Sequence, residues 1–344
     1  MRIGVIGAGL AGLAAGRTLT KAGHEVCIFE EHGCTGGRLA TWMAPSEPVV
    51  PVDYGYPFLS GSSPEFSRFL AELLEKNLLT VWGNNVAHFD GEQVHSESPN
   101  RKPDLRYAAP GGFSKISQYM ERWVDIRYGE HAIGLTYIGS GRRKKRPWMI
   151  NLESFKTFEA DAVIVALPAP SAYGIIENSR DETPIMKVIR EIDNVRYDPL
   201  TVVMAGYGRA VAPEWDILTA RSEIIESIVV ESSKRESPET QLVIRSTPEF
   251  VRKYEEKSED YTKRALFEEA GRLIGPWASN PVWSRLHTWL HYRPERSLNH
   301  AWFEADIKAA PLALVGDYLG GSGAEFAYRS GELLAENWSV RFRD

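Results

Sequence analysis

The chain has 344 residues, 43% of them hydrophobic and 25% charged, which supplies core for two domains and excludes a disordered protein. A formal net charge of -6 and a pI near 5.9 leave no general basic face for neutralising phosphates, so nucleic acid is not an expected partner. The two cysteines, Cys27 and Cys34, have neither metal-ligand spacing nor the number a disulfide scaffold needs, which fits a reducing cytoplasm.

Met1 to Ile6 reads as a short apolar strand that runs straight into Gly7-Ala-Gly9-Leu-Ala-Gly12 and a helix. Each glycine has its own task in such a turn: Gly7 bends the chain, Gly9 lets backbone approach a pyrophosphate, and Gly12 lets the helix pack on the strand. Glu25 to Glu30 is the next parallel strand, ending on an acid about 20 residues past the turn, where it would bind a ribose hydroxyl pair. The opening apolar stretch is broken by glycines and leads into this motif, so it reads as fold rather than as a secretion signal. Next come Gly36, Gly37 and Arg38. These resemble the Gly-Gly-Arg motif of the FAD-binding amine oxidase superfamily, in which the glycines close over the diphosphate and the guanidinium offers planar donors to it.

Pro64 to Leu79 has the apolar spacing of an amphipathic helix, with Phe66, Phe69, Leu70, Leu73 and Leu74 on one face and Ser60-Gly-Ser-Ser before it. Thr80 to Phe89 and Arg101 to Ala108 read as strands, and Pro110-Gly-Gly opens a helix through Trp123. Strands then lead to the buried run Ala162 to Pro168. On the way, Gly141-Arg-Arg-Lys-Lys-Arg146 reads as a solvated hairpin tip between strands at Thr136 to Ile138 and Trp148 to Glu153. A further block has strands at Leu200 to Tyr207, Ser227 to Glu231 and Gln241 to Ser246, then a helix from Ser258 to Ile274. No stretch approaches the roughly 20 unbroken apolar residues of a spanning helix, so no membrane is expected.

The last third carries Leu286-His287-Thr-Trp289-Leu-His-Tyr292-Arg293-Pro294, then an apolar strand at Leu312 to Val315 ending in Gly316-Asp317, and a helix beginning near Ala324-Glu325. His287 and His291 are four apart but lie in a strand-like segment, and no metal site is expected.

Taken with Asp53-Tyr-Gly55 and Ala109-Pro-Gly-Gly-Phe113, these motifs resemble the renalase-like branch of the FAD-dependent amine oxidase superfamily over most of the chain. His287, Trp289, Arg293 and Pro294 match that branch's segment, whereas Thr288, Leu290 and His291 depart from it, as does Phe326, where the family usually has glycine. The resemblance implies an α/β fold, a Rossmann-like FAD-binding domain with an inserted mixed α+β substrate domain, of p-hydroxybenzoate hydroxylase and amine oxidase-like architecture. The FAD-binding domain is expected over 1–59, 108–170 and 287–344, and the substrate domain over 60–107 and 171–286.

By this resemblance FAD would be held by Gly7, Gly9, Gly12, Glu30, Gly36, Gly37, Arg38, Gly55, Gly316, Asp317 and Glu325. It would be noncovalent, because neither cysteine lies in the C-terminal motif that carries covalent flavin in some relatives. The implied reaction is hydride transfer from a dihydronicotinamide, an isomer of reduced NAD or NADP, with reoxidation by oxygen to give hydrogen peroxide. His287, Trp289 and Tyr292 would line or support the nicotinamide pocket. An amine is the alternative substrate, although Gly323 stands where amine oxidases place one of two cage aromatics. A third reading, FAD binding with little oxidase activity, is motivated by Phe326.

Overall fold

The two largest sheets share one interface, seen here in a computed structural model. It describes every residue except 84, 97–104, 140–145, 180–182, 209–212, 306, 308–309 and 343–344. The first sheet runs in the order Phe303–Ala305, Leu312–Leu314, Ala162–Val165, Arg2–Ile6, Glu25–Glu30 and Asp125–Tyr128. All neighbours are parallel except the first pair. Its central strands are buried on both faces, as their unbroken Val and Ile runs require. Helices Leu10–Lys21 and Ala324–Arg341 cover one face, and a meander of Ala132–Tyr137, Trp148–Leu152 and Thr157–Ala160 covers the other. The basic run's Gly141 to Lys145 lies outside the described residues, between two strands that do pair.

The second sheet has seven strands in the order Trp283–Pro294, Tyr197–Gly206, Gln241–Ser246, Ile225–Val230, Ile217–Ala220, Val86–Phe89 and Val94–Ser96. Alternation along Tyr197–Gly206 sends Val203 and Ala205 to a core with helices Pro248–Lys253 and Glu259–Ile274. Val202 and Met204 point the other way, toward Trp42, Tyr54 and Phe58 of the nucleotide-binding segment.

These sheets divide the chain differently from the expected boundaries. Residues 287–294 belong to the edge strand of the second sheet, bonded to Tyr197–Gly206. Helix Pro64–Glu75, expected in the substrate domain, buries Phe66, Phe69, Leu70 and Leu73 in the core of the first sheet. Both corrections have one cause: an amphipathic pattern tells that a segment has a partner, not which one.

Candidate cofactor and substrate site

The glycine turn presents its backbone to open space. Gly7 has φ +99°, and a Cβ on Gly12 would lie 2.1 Å from the Gly7 carbonyl oxygen. A Cβ on Gly9 would meet nothing within 4 Å. Helix Leu10–Lys21 starts at Gly9 without a side-chain cap, so its first N–H groups are available to an anion, and the diphosphate of a dinucleotide fits that cradle. Gly36 closes the cradle's side by donating to the Ala8 carbonyl at 2.8 Å, and Gly36 and Gly37 hold φ of +114° and +53°.

Glu30 accepts from the Ala8 N–H and the His32 N–H, both at 3.0 Å, and stands on the wall of a cavity of about 530 Å³. Gly7, Phe29, Leu167, Pro168 and His291 line the same cavity. A second cavity of about 290 Å³ is lined by Tyr56, Phe58, Arg245, Tyr292, Ser322 and Gly323. His291 faces the first and its neighbour Tyr292 the second. Arg38 is bound to the backbone between them, donating to the Tyr292 carbonyl at 2.5 Å. It also forms a bidentate pair with Asp317, at 2.7 and 2.9 Å. Burial works against the Arg38 charge, but Asp317 outweighs it and holds the guanidinium protonated. Gly316 precedes this aspartate, and helix Ala324–Arg341 starts at Gly323 with φ +100° and no side-chain cap, so its N-terminus opens on the second cavity.

Gly55 is wedged against Arg38: a Cβ there would lie 2.0 Å from the Arg38 carbonyl oxygen. Beside it, Trp289 stacks on Tyr54 at 5.6 Å and donates its indole N–H to the Tyr54 carbonyl at 3.0 Å. His287 packs edge-on against both rings. Of the three residues expected at the substrate pocket, only Tyr292 lines the cavity at Gly323. His287 and Trp289 instead support the Tyr54–Gly55 turn from the domain interface. The strand breaks register between these residues: Leu200 pairs with Trp289 and Asp198 with Arg293, so three residues oppose Pro199. Proline has no N–H for the ladder, and the bulge re-aims the side chains that follow.

Two other expectations change. Glu325 accepts from the N–H groups of Ser62 and Ser63 at 3.1 and 2.7 Å, so its carboxylate is used at the entry to helix Pro64–Glu75 rather than at the cavity. Burial raises the Glu325 pKa, but these bonds prevail and hold it below its ordinary value. The Phe326 ring lies against the Gly320–Gly321 turn, where a Cβ on Gly321 would be 2.6 Å from it, and it lines neither cavity.

Sequence reasoning missed two features. Arg245 is 2% exposed and reaches the second cavity from an otherwise uncharged, fully buried strand; an arginine within Gln-Leu-Val-Ile-Arg-Ser was the available signal. The other is a buried quartet of Asp53, Glu231, Lys234 and Arg235. Asp53 lies 2.9 Å from Arg235, Glu231 lies 2.7 Å from Lys234, and the Asp53 N–H donates to Glu231 at 2.9 Å. Burial raises the Asp53 pKa, but Lys234 and Arg235 more than reverse this; for Glu231 burial prevails and the pKa is raised. Among the described residues no cluster of His, Cys, Asp and Glu could hold a metal, and no helix is long and apolar enough to cross a membrane.

Comparison with known proteins places this geometry. The chain shares its fold with cyclohexylamine oxidase from Brevibacterium oxydans, at 13% identity, covering 99% of both chains with a TM-score of 0.74. It also matches putrescine oxidase bound to putrescine, at 14% identity, covering 99% of this chain and 100% of that one, with a TM-score of 0.72. A Mycobacterium tuberculosis protein named as a flavin-containing monoamine oxidase, AofH, is 42% identical over 90 residues, 26% of this chain and only 18% of that protein. Residues 5–73 match an NAD(P)-binding Rossmann-like domain. Residues 101–337, well over half the chain, match the flavin containing amine oxidoreductase family, and to that family the chain belongs.

Proposed function

We propose that the protein is an oxidase with noncovalently held FAD, which converts a dihydronicotinamide, an isomer of NADH or NADPH, to the oxidised nucleotide while oxygen becomes hydrogen peroxide. The flavin, when bound, supplies the hydride acceptor at N5 and the path of electrons to oxygen. Gly7, Gly9, Gly12, Gly36 and Gly37 would hold the diphosphate, Glu30 the ribose, and Arg38 with Asp317 the chain between the two cavities. Noncovalent binding is supported by the positions of the two free cysteines, Cys27 and Cys34, both in the nucleotide unit, and by burial that pushes the Cys27 thiol up to about 12.

The observation that carries the substrate reading is the composition of the second cavity. Arg245 and Arg293 line it against a single acid, Glu226, and Gly323 stands where an aromatic cage would need a ring. Such a wall disfavours a protonated amine and suits a substrate with negative charge. Tyr292 and Tyr56 would flank the reacting ring and exclude water.

Anaerobic mixing of the yellow protein with reduced-nicotinamide isomers tests this. Rapid bleaching of the flavin band, regained with peroxide release when oxygen is readmitted, is the expected result. An amine substrate is the second reading, favoured by Glu226 in the cavity and by the amines in the names of the two structural neighbours. Bleaching by putrescine or cyclohexylamine, with none by dihydronicotinamides, would replace the first reading.

A further inference from the structure

The wall of the smaller cavity holds a buried charge that no acid balances. Arg245 donates through Nη1 to the Gly55 carbonyl at 3.0 Å and through Nη2 to the Tyr292 hydroxyl at 2.6 Å, with its guanidinium 5.0 Å from the Tyr292 ring centroid. Both acceptors are neutral. Among the described residues no carboxylate lies within ion-pair distance of it, whereas the other deeply buried cations are paired: Arg38 with Asp317, Arg17 with Glu72, and Lys234 and Arg235 with Asp53 and Glu231. An unpaired buried charge is costly, and proteins keep one where a ligand brings the opposite sign. The same cavity adds hydroxyl groups from Thr219 and Ser227, and Arg293 stands across it. Arg293 is already engaged, 3.1 Å from Glu226 and 3.5 Å from Asp198, which leaves Arg245 as the free anion partner.

We propose that Arg245, steadied by Tyr292, is the specificity-determining anchor for a phosphate group on the substrate. This rests on the dihydronicotinamide reading, and it assigns to Arg245 the nucleotide phosphate nearest the nicotinamide ribose. A guanidinium suits that task because its planar donors meet two phosphate oxygens at once.

The test uses the FAD-loaded protein and two probes that differ by one phosphate, nicotinamide mononucleotide and nicotinamide riboside, titrated against the visible flavin spectrum. The mononucleotide is expected to bind at least about tenfold more tightly, a difference of about 1.4 kcal/mol. Arg245→Met should bring the two affinities within about twofold of each other, and Arg245→Lys should keep part of the preference. In the unaltered protein, which needs no variant to fold, inorganic phosphate should compete with the mononucleotide and not with the riboside.

Equal affinities in the unaltered protein, or a preference that Arg245→Met retains, would overturn the anchor. A fall in flavin reduction potential in Arg245→Met, with the mononucleotide preference intact, would assign the charge to the reduced flavin and overturn it as well. The parent reading fails separately. If dihydronicotinamide riboside bleaches the flavin without any phosphate preference, the reading stands and the anchor falls; if neither the reduced riboside nor the reduced mononucleotide bleaches it, the parent reading falls and takes the anchor's substrate with it.

Discussion

Lys234 shows how a single buried charge can hold two domains. Its ammonium is fully buried, 2.7 Å from Glu231 and 5.4 Å from the ring centroids of both Trp82 and Phe113. Glu231 in turn accepts the Asp53 N–H, and Asp53 accepts from the Phe113 N–H at 2.8 Å and the Thr41 hydroxyl at 2.6 Å. The quartet therefore ties residues 231–235 of the second sheet's segment to the strand that precedes Tyr54 and Gly55. Removing one partner leaves an uncompensated charge, so Lys234→Met should lower stability by ~3–5 kcal/mol, read as the shift in a urea midpoint. Adding Glu231→Leu should recover part of that loss, because an apolar pair of similar volume avoids the desolvation of both ions. A double variant no more stable than Lys234→Met would show that the quartet's value lies in its hydrogen bonds to Asp53.

At the scale of elements, the helix pair Leu10–Lys21 and Ala324–Arg341 joins the glycine turn to the second cavity. The helices meet at Gly331, where a Cβ would lie 2.0 Å from the Ala11 carbonyl oxygen. Gly331→Ala gains up to ~1 kcal/mol of helix propensity. Overpacking costs ~1–3 kcal/mol, and the obstacle here is backbone that cannot rotate away, so the upper end applies and the net effect is loss. Because Ala11 lies in the first turn behind the diphosphate cradle, the same variant should release flavin more readily on gel filtration, with a lower Tm. Much of this architecture was legible in the sequence. Glu25–Glu30 and Gln241–Ser246 have the observed limits, and the helix expected from Ser258 to Ile274 runs over Glu259–Ile274. Those signals are local: apolar alternation and a glycine spacing. What was not legible depends on distant partners. The break at Pro199, which sets three residues between Trp289 and Arg293 against one, is visible only in the neighbouring strand's register. Glu325 reads as a cofactor ligand until the start of helix Pro64–Glu75 is seen to take it.

For the molecule as a whole, the interface between the sheets also sets a response to pH. His287 packs among Tyr54 and Trp289, and His291 against Tyr197 at 5.3 Å, both about half-buried on the strand that joins the two cavities. Burial lowers both pKa values below 6.5, assisted by Arg285 for His287 and by Arg38 for His291. In the unfolded chain both imidazoles take up protons near pH 6.5, while the folded protein still keeps them neutral. Over that interval the unfolded state binds more protons, so stability rises with pH; it falls as pH drops below about 6.5 and levels off beneath the folded values. The depressed carboxylates Glu72, Glu269 and Glu325 act in a separate, more acid window below 4.5, where protonation removes their contribution. Urea midpoints measured between pH 7.5 and 5 should therefore decline, and the decline should flatten when His287→Gln and His291→Gln are combined. An unchanged slope in that double variant would mean that the strand opens far enough for both rings to be solvated, and that the two cavities are less firmly joined than the Trp289–Tyr54 stack implies.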